Sequence, residues 1–157
     1  MLHVRYPPSW AVLTLPLIAC WLITFLAGHP EWRSKARSEA EALLFSHSSY
    51  TSGVSVASSL ATVPLEAWET EMPVFDAIIR ETLRLAQPHT AMRRNVGPDT
   101  FIGGERVPSG AYVVYPFSDV HLDEGLYPDP WKFDPGRPER KEPYSWIGWG
   151  GGTSAFK

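Results

Sequence analysis

A chain of 157 residues with 44% hydrophobic and 20% charged residues has the size and composition of one globular domain, which excludes wholesale disorder. The net charge of −3, without a run of lysines and arginines, argues against a nucleic-acid partner. A single cysteine, Cys20, excludes an internal disulfide and a cysteine-rich metal site. The five histidines are scattered, so each is predicted to be a surface or capping residue rather than a metal ligand.

The first predicted element is an uncharged, apolar helix over residues 10–28. These nineteen residues are just enough to cross a bilayer. Arg5 before the run and three basic residues after it are compatible with a membrane anchor. Pro16 makes the run a mediocre membrane span, and a long buried helix of a globular core is the other interpretation.

Two further helices are predicted, with a flexible connection between them. The first covers residues 29–46, where a proline and a glutamate stand at the start and an apolar stripe lies opposite the charges. Residues 47–64 are rich in serine, threonine, glycine and alanine, which indicates a flexible surface connection. The second helix covers residues 73–86, and Pro88 ends it.

A small β region is predicted over residues 95–120. Gly103 and Gly104 supply the positive φ angles of a hairpin turn, and residues 111–117 are rich in the aromatic and β-branched residues of a strand. Residues 121–145 are dense in prolines and turn residues, and they predict an irregular meander. The predicted fold class is therefore mainly α with a small β region.

Glu81 and Arg84 lie three residues apart on the 73–86 helix, so they can meet or share a partner. This helix is apolar nearly all round, which predicts that both are buried. One carboxylate cannot satisfy five guanidinium donors, so a second arginine or backbone carbonyls should join them. Arg137 is the candidate partner of Glu81. Residues 135–138 also have the spacing of a polyproline docking motif, but the aromatic residues between these prolines favour burial.

The order of these motifs carries a resemblance. ETLR on a helix, a short β region, PDPWKFDPGR and WGGG in succession resemble the cytochrome P-450 haem-thiolate monooxygenases. The resemblance implies a single, partial cytochrome P-450 domain over residues 1–157, from the end of the long haem-crossing helix to the start of the haem-binding loop. It also implies that Glu81, Arg84 and Arg137 form a structural triad beneath the haem.

The resemblance implies further site residues. Residues 89–94 would line the substrate cavity, and Arg94 or Arg93 would bind a haem propionate, because an arginine fork suits a carboxylate. Residues 146–157 would be the broken haem loop. Its cofactor-binding residues would be Trp149, Gly150 and Gly152.

The haem loop departs from the family pattern. In register with that pattern, Phe156 stands where the family has the cysteine that ligates the haem iron, and Ser154 stands at a basic position. Phenylalanine has no lone pair for iron, whereas a thiolate favours O–O cleavage. Cys20 lies on another helix, and Thr14 is the candidate oxygen-activating threonine without an acidic neighbour. We therefore expect no intact catalytic residue and no metal ligand, in a chain truncated before the cysteine or taken from a misread gene.

A complete family member would have a cofactor and partners that this resemblance implies. They are haem of the b type (heme b), electrons from NADPH through a reductase, and a small apolar organic substrate that receives one oxygen atom of O2. The implied location is the endoplasmic reticulum membrane or the cytoplasm. The chain as written is expected to be catalytically incompetent. The alternative is a small membrane-anchored interaction protein that uses residues 10–28 as a span.

Overall fold

The structure of this protein, a computed structural model, describes residues 9–47, 55–86 and 90–148. Within these ranges the backbone forms six helices, which are α1 (Ser9–Gly28), α2 (Pro30–His47), α3 (Val56–Leu60), α4 (Leu65–Thr70), α5 (Pro73–Ala86) and α6 (Ser118–His121). The same ranges contain four strands, which are β1 (Thr90–Arg94), β2 (Thr100–Ile102), β3 (Glu105–Val107) and β4 (Tyr112–Pro116). This content confirms the predicted mainly α class with a small β region.

The chain divides into two compact units. The first comprises Met1–Leu83 and Phe133–Pro138, and the second comprises Arg84–Lys132 and Glu139–Lys157. Among the described residues, the first unit therefore holds α1 to α4 and most of α5, and the second holds the four strands and α6.

In the first unit, α1 and α2 meet at a corner around His29. The imidazole Nδ1 of His29 lies 2.8 Å from the Phe25 carbonyl oxygen at the end of α1. The backbone N–H of Arg33 donates to the His29 carbonyl at 3.1 Å, which begins α2. The Phe133 ring packs into this corner, with its centroid 4.6 Å from Phe25 and 4.9 Å from His29. The corner between α1 and α2 therefore holds Phe133, the first residue of the segment Phe133–Pro138 that belongs to this unit.

The first unit also contains a small apolar core. Its buried residues are Leu43, Val63, Ala67 and Met72, with Leu44 and Phe75 packed against them. Glu39 on α2 joins this core to the start of α5, because its two carboxylate oxygens accept from the backbone N–H groups of Val74 and Phe75, each at 2.8 Å. A carboxylate at this place satisfies free N–H groups and complements the helix dipole.

The helices of the first unit differ from the sequence prediction in two segments, one of which is α4, a helix that lies where the sequence analysis predicts no element. The 73–86 helix has the predicted bounds, whereas the predicted flexible connection over 47–64 contains α3. The Ser55 hydroxyl begins α3 by accepting from the N–H of Ser58 at 3.2 Å, and this cap is the physical reason that a helix forms there. Residues 48–54 of that prediction lie outside the described residues. In the described part of the chain, no helix combines the length and the apolarity needed to cross a membrane.

The second unit contains two antiparallel pairs of strands. β1 pairs with β4 so that Thr90 lies opposite Pro116 and Arg94 opposite Tyr112. β2 pairs with β3 as the predicted hairpin, and Gly103 and Gly104 at its turn have φ angles of 58° and 89°. Beyond α6, the described residues from Leu122 to Gly148 form turns without a helix or a strand, as expected for a meander.

Candidate functional site

Glu81 is the buried carboxylate of the first unit. Its Oε1 atom accepts two hydrogen bonds, from the backbone N–H of Asp134 at 3.0 Å and from the Arg137 Nε at 3.2 Å. The side chains of Glu81 and Arg137 are 6% and 15% exposed. A charge-assisted bond between such buried groups is stronger than a surface ion pair, and loss of either partner removes the opposite charge from the buried group that stays.

A short turn presents both donors to Glu81. The Asp134 side-chain oxygen Oδ1 accepts from the N–H of Gly136 at 3.1 Å, and the N–H of Arg137 donates to the Asp134 carbonyl at 3.2 Å. An aspartate that bonds to the backbone two residues onward mimics a turn. This local chemistry orients the Asp134 amide and the Arg137 side chain toward the same carboxylate. The structure thus brings Arg137 to Glu81, the pairing that the sequence predicts.

Arg84 is the buried cation of the second unit, and its side chain bonds to backbone carbonyls. Its Nη1 donates to the His121 carbonyl oxygen at 2.6 Å, and its Nη2 donates to that of Lys132 at 3.3 Å. The guanidinium carbon also lies 4.9 Å from the centre of the Tyr127 ring, a distance at which the ring attracts a cation. Within the second unit, Arg84 therefore bonds to the end of α6 and to the meander.

His121 ends α6 and is completely buried, so the expectation that it is a surface or capping histidine is wrong. Its Nε2 accepts a hydrogen bond from the backbone N–H of Ile147 at 3.0 Å. Burial first, and the Arg84 cation second, lower the pKa of His121 from 6.5 to about 4, because both disfavour the imidazolium. The sequence contains no signal for this role, since the partner lies 26 residues away.

The segment just before the glycine-rich residues 149–152 is held by buried contacts. The Tyr127 hydroxyl donates to the Ser145 carbonyl at 2.7 Å in a buried position. The Trp146 indole covers the Cα of Gly148, because a Cβ on Gly148 would overlap the Trp146 ring. Glycine is therefore the residue that admits the indole at this place.

The remaining predicted site residues are either exposed or outside the described residues. Arg93 and Arg94 are exposed; the Arg94 Nε donates to the Gly110 carbonyl at 3.2 Å and its guanidinium lies 5.6 Å from the Tyr112 ring. The haem-loop candidates lie outside the described residues, and they are Trp149, Gly150, Gly152 and Phe156.

Comparison with known proteins identifies the family. The family model for cytochrome P-450 matches residues 14–154, which is most of the chain. The chain belongs to the cytochrome P-450 family. The resemblance seen in the sequence and the partial cytochrome P-450 fold are both confirmed.

Individual relatives agree with this assignment. The chain is 34% identical over 137 residues to cytochrome P-450 monooxygenase dmxR5 of Cryptosporiopsis sp. (strain 8999), covering 83% of this chain and 26% of that protein. It is 32% identical over 126 residues to cytochrome P-450 88A1 of Zea mays, covering 80% of this chain and 22% of that protein. A retinoic acid bound cyanobacterial CYP120A1 structure matches with a TM-score of 0.64 and 28% identity, over 88% of this chain and 30% of that one. The chain thus spans about a quarter of its relatives' length.

The family implies a haem, and Phe156, the residue that the sequence analysis predicts at the iron-ligand position, lies outside the described residues. The sequence has one cysteine, Cys20, which is exposed on α1 in the first unit. Among the described residues, no cluster of three or more histidine, cysteine, aspartate or glutamate side chains could hold a metal ion.

Proposed function

We propose that this chain is the scaffold segment of a cytochrome P-450 monooxygenase, the part that supports a haem from beneath, and that it does not activate oxygen by itself. One observation carries the scaffold role: the buried Glu81 carboxylate accepts from both the Asp134 amide and the Arg137 guanidinium. An ordinary exposed pair at helical spacing contributes little to stability. A carboxylate buried at 5% exposure has to be bonded in this way to be tolerated.

The structural triad of Glu81, Arg84 and Arg137 is part of this proposal. Each member is supported by contacts within its own unit, with Arg137 bonded to Glu81 and Arg84 bonded to two carbonyls. Within the first unit, Glu81 holds the turn that carries Asp134 and Arg137, and within the second unit Arg84 holds the carbonyls of His121 and Lys132. The role proposed for the triad is therefore mechanical, and the triad itself performs no chemistry.

The activity proposed for a complete protein follows from the family. It is insertion of one oxygen atom of O2 into a small apolar organic substrate, with heme b as cofactor and electrons from NADPH through a reductase. In such a protein Arg94 or Arg93 would bind a haem propionate, and both residues are exposed. Phe156 cannot supply the thiolate that this chemistry uses, so the chain as written is proposed to be incompetent.

A spectrum tests this proposal. The purified chain is incubated with haem, reduced with dithionite and treated with carbon monoxide, alongside a Cys20→Ser variant. We expect both proteins to lack the thiolate-type Soret band. A thiolate-type band in the unaltered chain would overturn the proposed incompetence. Its loss in Cys20→Ser would identify Cys20 as the unexpected ligand.

A Glu81→Gln variant tests the scaffold role separately, with Glu41→Gln on the exposed face of α2 as the matched control. Each substitution replaces one carboxylate by an amide of the same shape. The scaffold role predicts a large loss of stability for Glu81→Gln alone. Equal unfolding midpoints for the two variants would refute it.

The second candidate, a membrane-anchored interaction protein, is not favoured. No described helix is long and apolar enough to span a membrane. The endoplasmic reticulum membrane and the cytoplasm remain the locations that the family resemblance proposes for a complete member.

A further inference from the structure

Two buried hydrogen bonds hold the segment Ser145–Ile147, which directly precedes the glycine-rich residues 149–152. The Tyr127 hydroxyl donates to the Ser145 carbonyl at 2.7 Å, and the Ile147 N–H donates to His121 Nε2 at 3.0 Å. All four residues are buried, with exposures between 0% and 8%. The meander has no regular secondary structure here, so these two side chains supply bonds that a ladder would otherwise provide.

Arg84 contacts both of the residues that hold this segment. Its Nη1 donates to the His121 carbonyl at 2.6 Å, and its guanidinium lies 4.9 Å from the Tyr127 ring. Arg84 thus contacts Tyr127, which bonds to Ser145. It also contacts His121, which bonds to Ile147. A substitution at Arg84 would therefore act on the segment through two intermediates.

The bond from Ile147 sets the tautomer of His121. A nitrogen that accepts an N–H bond carries no proton, so the neutral ring has its proton on Nδ1. Among the described residues, this buried Nδ1 atom has no hydrogen-bond partner. An unpaired buried donor reduces stability and is uncommon. The position of the ring is therefore explained by its Nε2 bond and not by a bond at Nδ1.

We propose that His121 is a positioning residue whose neutral imidazole, protonated on Nδ1, fixes the Ile147 backbone and so the segment that leads into residues 149–152. The importance of this segment rests on the proposed function, in which residues 149–152 open the haem loop. The bond itself does not depend on that function.

This role requires the neutral ring, because an imidazolium has two donors and no acceptor. In the described part of the chain, the charged group that acts on His121 is the Arg84 guanidinium, and its cation opposes protonation. The Phe117 ring lies edge-on to the imidazole at 6.5 Å between centroids. This ring and the Ile147 backbone carry no charge. Acidification should therefore break the bond between Ile147 and His121 only at a pH low enough to protonate the imidazole, despite its burial and the nearby Arg84 cation.

A pair of substitutions separates positioning from mere filling of space. His121→Gln places an amide oxygen near the position of Nε2, whereas His121→Asn places one near Nδ1. Amide hydrogen exchange at Ile147 is measured in the full chain for both variants and for the unaltered protein. We expect protection to be kept in His121→Gln and to fall about 10-fold in His121→Asn, the size of one net hydrogen bond. Equal protection in the two variants would overturn the proposal.

Two measurements keep the test decisive if His121→Asn does not fold. Nitrogen NMR of the unaltered protein reports the tautomer, and a proton on Nε2 would contradict the proposal. The Ile147 protection should also decrease on acidification in the unaltered protein and not in His121→Gln; a parallel decrease in both would contradict it. A thiolate-type spectrum would overturn the proposed function and leave these results unaffected.

Discussion

Replacing Glu81 by glutamine removes the negative charge from the buried ion pair between Glu81 and Arg137 in the first unit. The Arg137 side chain, 15% exposed, would keep its charge beside a neutral amide. Removal of one member of a buried pair costs roughly 3–5 kcal/mol. Because Arg137 retains some contact with water, we expect the lower end, about 3 kcal/mol in the free energy of unfolding.

Urea unfolding of a double-mutant cycle measures this value. The cycle compares Glu81→Gln, Arg137→Gln and the double variant, with Glu41→Gln as the surface control. We expect the double variant to be less destabilised than the sum of the single variants by roughly 1–3 kcal/mol, since neither buried charge then remains alone. Strict additivity would show that the two side chains are not coupled, and the structural reasoning would then be wrong.

Three more perturbations test other parts of the structure. Glu39→Ala removes both bonds to the start of α5 and should cost about 1–2 kcal/mol by urea unfolding, whereas Glu41→Ala should cost little. Gly148→Ala should cost roughly 1–3 kcal/mol because the indole has to move; adding Trp146→Ala should recover much of this loss, and no recovery would contradict the contact. His121 has a pKa of about 4 in the fold against 6.5 ordinarily, so the unfolded chain binds more protons between these values. The contribution of His121 to the free energy of unfolding is fully present above pH 6.5 and should fall by about 2 kcal/mol from pH 7 to pH 5. A His121→Gln variant corrects for the other titrating groups, and an identical fall in that variant would refute the assignment.

Local chemistry made much of the fold predictable. The bounds of α5 follow from Pro73 at its start and Pro88 after its end, because proline is tolerated in the first turn and not beyond. The Gly103–Gly104 hairpin follows from the need for positive φ. Arg137 was predictable as a partner of Glu81 because a buried carboxylate requires a donor. In each case the evidence lies within a few residues or in a simple count of donors and acceptors.

Features set by distant contacts were not predictable. β1, with the sequence TAMRR, has weak strand character of its own and forms through pairing with β4, as in the pair of Met92 and Val114. His121 becomes buried through Arg84 and through Ile147, and neither is a sequence neighbour. Nothing near His121 in the sequence distinguishes it from the exposed histidines that are more common.

The Glu39 carboxylate at the start of α5 also has a consequence for the order of folding. A helix of fourteen residues is marginal in water by itself, and the residue that completes its first turn lies 35 positions earlier in the chain. The segment between them has to close as a loop before this bond can form. A peptide of residues 73–86 should therefore be largely unstructured, and α5 should become a stable helix only after α2 has docked against it.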